Sequence, residues 1–223
     1  MMANLFASFD PTTTIFSLNW MSAMLIFLIM PSTFWMMPSR MNMLWIKLMV
    51  FLHKEFKILI KHKEFKGNTL LFVSLFMFVM INNIMGLFPY IFTSTSHMNF
   101  ALSLSVPLWL TITLIGWCKN TTHMFAHLVP QGAPNLLLPF LVIVETISSI
   151  IRPGTLAIRL SANMIAGHLL MTLMGNSGTS LSLILIQLLI MSQMLLLTLE
   201  SAVAVIQAYV FSILSTLYSS EIK

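Results

Sequence analysis

The sequence predicts an all-α integral membrane protein, and three observations lead to this fold class. The 223 residues are 58% hydrophobic and only 8% charged, and their mean hydropathy is +0.93. Apolar runs of about 20 residues, long enough to cross a bilayer as a helix, recur along the chain. Soluble domains carry about 25% charged residues. Too little polar surface therefore remains to coat a folded body of this size in water.

The first two predicted elements are a membrane span and a surface helix. The apolar run over residues 15–37 is long enough to span, although Pro31 weakens its second half. Residues 42–66 predict an amphipathic helix, because four lysines recur within about 80° of helical arc, opposite an apolar face. The lysines are Lys47, Lys54, Lys57 and Lys61, and the apolar residues are Leu48, Leu52, Phe56 and Leu59. Such a helix lies on the membrane surface.

Four further apolar segments complete a single membrane domain. Residues 70–90 and 100–118 predict two more spans, the second with Pro107 inside it. The last two segments, 136–174 and 181–218, are too long for upright spans. About 38 helical residues measure about 57 Å, against a hydrocarbon core of about 30 Å. We expect these two segments to form a hairpin of steeply tilted helices lying partly along the membrane plane.

The N-terminus and the methionine content indicate where the protein is made. Twenty methionines are unusual, and the first eleven residues have neither the basic region of a signal peptide nor the Arg-rich pattern of a transit peptide. An apolar, Met-rich chain of this kind is typical of synthesis inside an organelle with its own genome. This favours the mitochondrial inner membrane, while a bacterial origin stays open.

The basic residues gather on one predicted side of the membrane. The formal net charge is +5, but six lysines fall within residues 47–66, which is not the aromatic-interleaved pattern of a nucleic-acid groove. We therefore expect no nucleic-acid partner. Threading the chain through the predicted spans places Arg40, the lysine cluster, Lys119 and Lys223 on the same face. By the positive-inside rule this face is the matrix side, the N-terminus faces the intermembrane space, and the C-terminus faces the matrix.

No metal or other cofactor is expected. Cys118 is the single cysteine, so the chain has no internal disulfide and a thiolate metal site is implausible. His123 and His127 have the i, i+4 spacing of a metal-binding pair, but no third ligand lies near them in the sequence. We interpret them as loop packing.

The two long apolar segments contain five ionisable side chains. They are Glu145, Arg152, Arg159, His168 and Glu200, with Asn163 and Gln207 as neutral polar companions. Ionisable groups inside apolar helices are costly and are functional candidates by default. For Arg152, internal pairing that fixes helix packing explains the residue about as well as a part in transport.

Helical spacing places several of these polar groups on faces made of small residues. The first face holds Arg159, Ala162, Asn163, Ala166 and Gly167, and the second holds Glu200, Ala204, Gln207, Ala208 and Ser215. Small residues let a neighbouring backbone approach closely. Both faces therefore predict a moving or close-fitting partner.

His168 and Glu145 lie on opposite sides of Arg159 along the sequence. His168 is nine residues beyond Arg159, about 13 Å further along a helix and half a turn around it. By the predicted topology, His168 is near the intermembrane-space end of its helix and Glu145 is near the matrix end. A proton path that reaches from both faces toward one central arginine has this arrangement.

Four segments resemble subunit a of F-type ATP synthases. IRPGTLAIRLSANMIAGHLL resembles the family signature, including the arginine and the asparagine four residues on. NNIMGLFPY matches the motif Asn-x-x-x-Leu-x-Pro, MFAHLVPQGAP matches a loop, and LESAVAVIQAYVFSILSTLY matches the last helix. The resemblance covers essentially the whole chain and is that of a mitochondrial, arthropod-like member.

The resemblance implies a role for each candidate residue. Arg159 would face the essential carboxylates of the rotating c-ring, with Gln207 beside it. His168, Glu200 and Asn83 would line the half-channel from the intermembrane space, and Glu145 would line the matrix half-channel. Many bacterial members have an acid at the position of His168 and a histidine at that of Glu200, so the pair is exchanged here.

The expected function is that of the proton-translocating stator channel subunit of an F-type ATP synthase. The implied partners are the c-ring, the peripheral stalk, other membrane subunits, the lipid bilayer and protons. No GxxxxGK[ST] motif occurs, so nucleotide must bind another subunit and the chain is not an enzyme on its own. Two alternatives stay open. A secondary proton-coupled transporter predicts an internal repeat, which we do not find, and a structural scaffold would not keep a lone arginine among apolar faces.

Overall fold

The computed structural model describes residues 5–13, 16–31, 36–60, 67–129, 137–178 and 181–221. Within these residues every regular element is helical, which confirms the predicted fold class. The α-helices of the described residues are α1 (Leu25–Ile29), α2 (Arg40–Leu59), α3 (Asn68–Gly86), α4 (Met98–Lys119), α5 (Thr121–Leu128), α6 (Leu138–Ser177) and α7 (Leu183–Glu221). Short 3-10 helices cover Leu5–Phe9, Leu18–Met24 and Ser94–Ser96.

Among the described helices, four are long and apolar enough to cross a membrane: α3, α4, α6 and α7. The first predicted span, residues 15–37, looks different. Its described part holds a 7-residue 3-10 helix that runs into the 5-residue α1, which is shorter than a helix that crosses about 30 Å of hydrocarbon. Ile15 and residues 32–35 lie outside the described residues, so a span over 15–37 stays a prediction.

α2 turns one narrow face toward the protein and its lysines away from it. Leu52 and Phe56 are buried in a core shared with α3 and α7. Leu48, which the sequence placed on the apolar face, is 37% exposed, so the buried stripe is narrower than expected. The exposed lysines are Lys47, Lys54 and Lys57. Residues 61–66 of the predicted surface helix lie outside the described residues.

α6 and α7 are the longest helices of the described chain, with 40 and 39 residues, or about 60 and 58 Å. α6 continues through Pro153 and Gly154 without a break. The two helices contact each other, and α6 also packs against α4 while α7 packs against α3. This pairing brings Glu200 of α7 next to His168 of α6, while Glu145, Arg152 and Arg159 lie further toward the N-terminal end of α6. The tilt of the hairpin in a bilayer stays a prediction.

The small residues of α7 make room for bulky residues of α3. Ala204 and Ala208 are fully buried, and Ala208 shares one apolar core with Phe72 and Phe76 of α3. A small side chain on one helix lets the large side chains of the other come close at normal packing density. The close-fitting neighbour of this face is therefore α3 of the same chain.

Candidate functional site

His168 on α6 and Glu200 on α7 form a buried pair. His168 Nε2 lies 3.8 Å from Glu200 Oε1, and Glu200 is only 5% exposed. Gly167, next to His168, makes this approach possible, because a Cβ at that position would collide with the Glu200 carboxylate. The pair sits where two consecutive helices of the chain touch each other.

Several polar atoms around this pair have no hydrogen-bond partner in the protein. Among the buried side chains described, they include His168 Nε2, both carboxylate oxygens of Glu200 and Oδ1 of Asn83. Buried polar groups without partners are rare, because each costs about 1–3 kcal/mol. Their grouping at one place indicates a site kept for function rather than for packing.

Asn83 anchors α3 to α7 one turn beyond Glu200. The side chain is fully buried, and its Nδ2 donates a hydrogen bond to the Ala204 carbonyl oxygen at 3.3 Å. Asn83 therefore lies close to the pair, but its amide nitrogen is engaged with backbone and its Oδ1 is left available.

A cavity of ≈ 600 Å³ opens beside His168, and we call it the His168 cavity. Its wall combines the N-terminal segment, the turn after α3, and parts of α6 and α7. The polar lining residues are Ser8, Asp10, Asn19, Tyr90, Thr93, His168 and Thr172. Gly86 also lies in this wall, and a Cβ there would meet Thr93 Cγ2 at 2.9 Å. Glu200 and Asn83 are buried behind the wall, so His168 is the predicted site residue that faces the cavity.

The N-terminal segment closes one side of this cavity. The ring of Phe9 meets the ring of His168 edge-on, with centroids 6.2 Å apart. The Phe9 carbonyl oxygen lies 2.9 Å from Nε2 of His97, and His97 packs against both Trp20 and Phe92, each 5.2 Å away between ring centroids. These contacts hold the segment against α6.

Asp10 places a negative charge at the mouth of the His168 cavity. The Thr12 backbone N–H donates to Asp10 Oδ1 at 3.0 Å. This hydrogen bond, with a further one from the Thr12 side chain, lowers the pKa of the exposed Asp10 carboxyl below its usual value. The carboxylate is therefore ionised at neutral pH and attracts protons and other cations toward the opening.

Arg159 occupies an exposed face of α6, away from both His168 and Glu200. Exposed small residues flank it at helical spacing: Thr155, Ala162 and Ala166. Arg159 and Gln207 of α7 line the same narrow crevice between the two helices, which brings these two predicted residues together. Asn163 is partly buried on α6. A permanent cation thus projects from a surface that another helix could approach closely.

A second cavity of ≈ 330 Å³ lies further toward the N-terminal end of α6, and we call it the Glu145 cavity. α4, α5, α6 and α7 all contribute to its wall. Glu145 Oε1 lies 3.4 Å from an Nη atom of Arg152, and the Arg152 guanidinium lies 5.2 Å from the centre of the Tyr218 ring. His127 of α5 lines the same cavity.

The three predicted positions on α6 are therefore arranged in order along one helix. The His168 cavity and the Glu145 cavity lie near opposite ends of α6. Arg159 lies between them, about 13 Å from His168 and about 21 Å from Glu145 along the helix axis. No group of three or more His, Cys, Asp or Glu residues that could hold a metal occurs in the part of the chain that the structure describes.

A known family matches nearly the whole chain. The sequence model described as ATP synthase A chain matches residues 14–220. The chain belongs to the ATP synthase A chain family. Subunit a of ATP synthase from Locusta migratoria is 61% identical over 224 residues. The subunits a from Drosophila melanogaster and Aedes aegypti are each 60% identical, over 224 and 226 residues, and all three alignments cover 100% of both chains.

Three residues that line the His168 cavity of this ATP synthase A chain family member or hold its wall in place were not predicted from the sequence: Phe9, Asp10 and His97. One signal pointed to Asp10, since it is the only acidic residue before Glu55. His97 stands in a short uncharged linker, and no local pattern indicated that it would reach the N-terminal segment. Its contact with Phe9 joins residues 88 positions apart and depends on the packing of whole helices.

Proposed function

We propose that this chain is the stator channel subunit that carries protons to and from the rotating c-ring, through two half-channels offset along α6. The observation that carries the proposal is the order of the site: one cavity at each end of α6, each with an ionisable group in its wall, and Arg159 on an exposed face between them. Family membership supports a place for the chain in the Fo sector of an ATP synthase.

Protons at higher potential enter through the His168 cavity. Asp10 concentrates them at the mouth, His168 takes them from the cavity, and Glu200 passes them on behind the wall. His168 and Glu200 are 3.8 Å apart, just beyond hydrogen-bond distance, so a small side-chain movement brings them within reach for proton exchange. Asn83 holds α3 against this relay and offers its free Oδ1 to it.

Arg159 separates the two half-channels. Its guanidinium cannot deprotonate, so it attracts an ionised ring carboxylate without passing a proton on. Once that carboxylate is neutralised it leaves the arginine and moves into lipid, where a charge could not go. Gln207 flanks Arg159 in the interhelical crevice, and Asn163 lies one helical turn away on the same helix.

Glu145 receives the proton after the ring has turned. A ring carboxylate that reaches the Glu145 cavity releases its proton toward Glu145 and from there to the matrix. Each charge crossing contributes about 2.3 kcal/mol per 100 mV of membrane potential. Several proton crossings are therefore needed for each ATP molecule that is synthesised.

The location and the partners follow from this role. The chain would be a multi-pass protein of the mitochondrial inner membrane, with the His168 cavity open to the intermembrane space and the Glu145 cavity open to the matrix. Its N-terminus would face the intermembrane space and its C-terminus the matrix. The c-ring, the peripheral stalk and the other membrane subunits are its partners, and nucleotide binds elsewhere in the complex.

Water-borne thiol labelling tests the two half-channels directly. Replacing the single cysteine by Cys118→Ser gives a background in which one new cysteine can be introduced at a time. We expect a hydrophilic, membrane-impermeant thiol reagent to label Thr172→Cys only in mitoplasts, whose outer face is the intermembrane-space side. Ser149→Cys should be labelled only in inverted particles, whose outer face is the matrix side.

Leu170→Cys is the matched control, because Leu170 is 51% exposed on the surface of α6 but lines neither cavity. This position should stay unlabelled in both preparations. Labelling of Thr172→Cys and Ser149→Cys from the same side would contradict two opposed half-channels, and labelling of neither would contradict hydrated cavities.

A further inference from the structure

The direction in which the His168 imidazole faces is set by packing. Its Nε2 has no hydrogen-bond partner and lies 3.8 Å from Oε1 of Glu200. Two neighbours of the ring are glycines: Gly167 precedes His168 on α6, and a Cβ on Gly86 of α3 would lie 3.9 Å from Nε2. Because the torsion that turns an imidazole has broad minima, these glycines leave the ring room to turn. A bulkier neighbour has to limit this rotation.

Phe9, at the end of the N-terminal 3-10 helix Leu5–Phe9, is such a neighbour. Its ring meets the His168 ring at an interplanar angle of 90°, with the centroids 6.2 Å apart, which is an edge-to-face arrangement that aromatic pairs prefer. Both residues lie in the wall of the His168 cavity. The contact therefore restricts how far the imidazole can turn away from Glu200.

Phe9 is in turn fixed by two other parts of the chain. Its carbonyl oxygen lies 2.9 Å from Nε2 of His97, the residue before α4. A carbonyl oxygen only accepts hydrogen bonds, so this Nε2 carries the hydrogen and donates it. The carbonyl oxygen of the next residue, Asp10, accepts a hydrogen bond from Nδ2 of Asn19 at 3.4 Å. These bonds keep the Phe9 ring in a constant place beside α6.

We propose that Phe9 is a positioning residue for proton uptake: its ring keeps the His168 imidazole turned toward Glu200, and the hydrogen bond from His97 keeps Phe9 in place. This inference rests on the proposed function of His168 and Glu200 as a proton relay. The Phe9 side chain has no proton to exchange, so it acts through His168.

The direction of the imidazole matters because the gap to be closed is short. Proton transfer needs heavy atoms about 2.6–3.2 Å apart, and His168 Nε2 lies 3.8 Å from Glu200 Oε1. A ring that is held in line closes this gap with a small movement, whereas a ring that turns freely spends part of its time out of reach. Phe9 therefore raises the fraction of time in which the pair can exchange a proton.

Proton flux through the assembled complex, driven by an imposed potential, measures this effect. We expect Phe9→Ala to slow the flux by about 3- to 10-fold, a part of the roughly 10²-fold that a misplacement of about 1 Å can cost. Phe6→Ala is the matched control, because Phe6 belongs to the same 3-10 helix but is 66% exposed and does not line the His168 cavity. Its flux should be unchanged. A normal flux in Phe9→Ala, or an equal loss in Phe6→Ala, would overturn the proposal.

A double variant separates positioning from general support of the cavity wall. Where His168→Ala has already removed the imidazole, Phe9→Ala should add no further loss, because no ring remains to be positioned. The same factor of loss with and without His168 would count against the proposal. A normal flux in His168→Ala would instead contradict the relay of the proposed function, so the two failures are distinguishable.

His97 gives a second test, which decides the matter if Phe9→Ala does not assemble or if His168→Ala leaves no measurable flux. His97→Gln keeps an N–H donor for the Phe9 carbonyl oxygen and should keep most of the flux. His97→Phe keeps an aromatic ring against Trp20 and Phe92 but has no donor, and it should slow the flux as Phe9→Ala does. Equal fluxes in the two His97 variants would show that this hydrogen bond does not position Phe9 and would overturn the proposal.

Discussion

At position 159 a guanidinium and an ammonium are not equivalent. Arg159→Lys keeps a positive charge, but lysine is compact and can lose its proton when it is desolvated, whereas arginine stays charged. We therefore expect Arg159→Lys to abolish coupled synthesis. Proton-driven ATP synthesis by the assembled mutant complex is the measurement. Retention of more than about half the normal rate, well under 1 kcal/mol in barrier terms, would exclude Arg159 as the central barrier.

His168 and Glu200 are expected to act as a unit, because their side chains lie 3.8 Å apart on neighbouring helices. If both relay the same proton, His168→Ala and Glu200→Ala should slow proton pumping by similar factors. The double alanine variant should lose less than the product of the two single losses. Proton flux through complexes with a normal ring provides the comparison. Strictly multiplicative losses would indicate separate paths.

An exchange of the two residues tests the same relay without removing it. His168→Glu combined with Glu200→His keeps one acid and one imidazole in the path, in exchanged positions. We expect the exchanged complex to pump protons faster than either single change, measured in the same flux assay. Gly167 is left intact in all variants, because a Cβ there would collide with the side chain at 200. A rate no better than the single variants would speak against a shared path.

At the residue scale, the candidates that sequence could predict are those with an energetic cost. An ionisable side chain inside an apolar run stands out because lipid penalises it, and this is what made Glu145, Arg159, His168 and Glu200 candidates. The neighbours of these residues could not be found in this way. Tyr218 beside Arg152 and Phe9 beside His168 are ordinary aromatic residues of a long helix and of a short 3-10 helix, and only contacts between different segments give them a place at the site.

At the element scale, the length of an apolar run was a good guide to long helices. The helices Leu138–Ser177 and Leu183–Glu221 cover most of the apolar segments 136–174 and 181–218, because a long, predominantly apolar stretch has few other ways to satisfy its backbone in lipid. The short helix α5 was predicted as a polar loop. Helices of this length are unstable alone, and tertiary packing decides whether they form.

The α3–α7 interface yields a prediction about stability. Ala208 is fully buried against α3, so Ala208→Leu would overpack the interface and should destabilise it by about 1–3 kcal/mol. The thermal midpoint at which the assembled complex comes apart, followed by native electrophoresis, should fall. Ala126→Leu makes the same change on the exposed surface of α5 and should have little effect. Equal midpoints for both variants would show that α3 and α7 do not pack through Ala208.

At the scale of the whole molecule, the two cavities share no lining residue, so we expect no uninterrupted path through the chain alone. We therefore expect vesicles containing this chain without a c-ring to show no proton flux and no proton-coupled solute uptake, and vesicles with the ring to conduct protons. The measurement is pH-dye fluorescence after a potential is imposed. Uptake of a solute by the chain alone would favour a secondary transporter, and absence of flux with the ring present would favour a scaffold.

The orientation of the whole molecule rests on charge rather than on packing. Lys47, Lys54 and Lys57 project away from the protein, which agrees with a helix on a membrane surface, but the side of the membrane follows only from the positive-inside rule. The packing of the helices does not distinguish the matrix end of the molecule from the intermembrane-space end. Sequence could therefore predict the orientation, while geometry supplied the two cavities and their separation.

The unbroken course of α6 also constrains how this protein can change over evolutionary time. One residue inserted between Arg159 and His168 would rotate everything beyond it by about 100° and carry His168 away from Glu200, however well the inserted residue itself suited a helix. Between Glu145 and His168 the number of residues therefore fixes which way each side chain of the helix faces. Lineages should accept substitutions there at constant length, and insertions or deletions should collect before Leu138 and after Ser177.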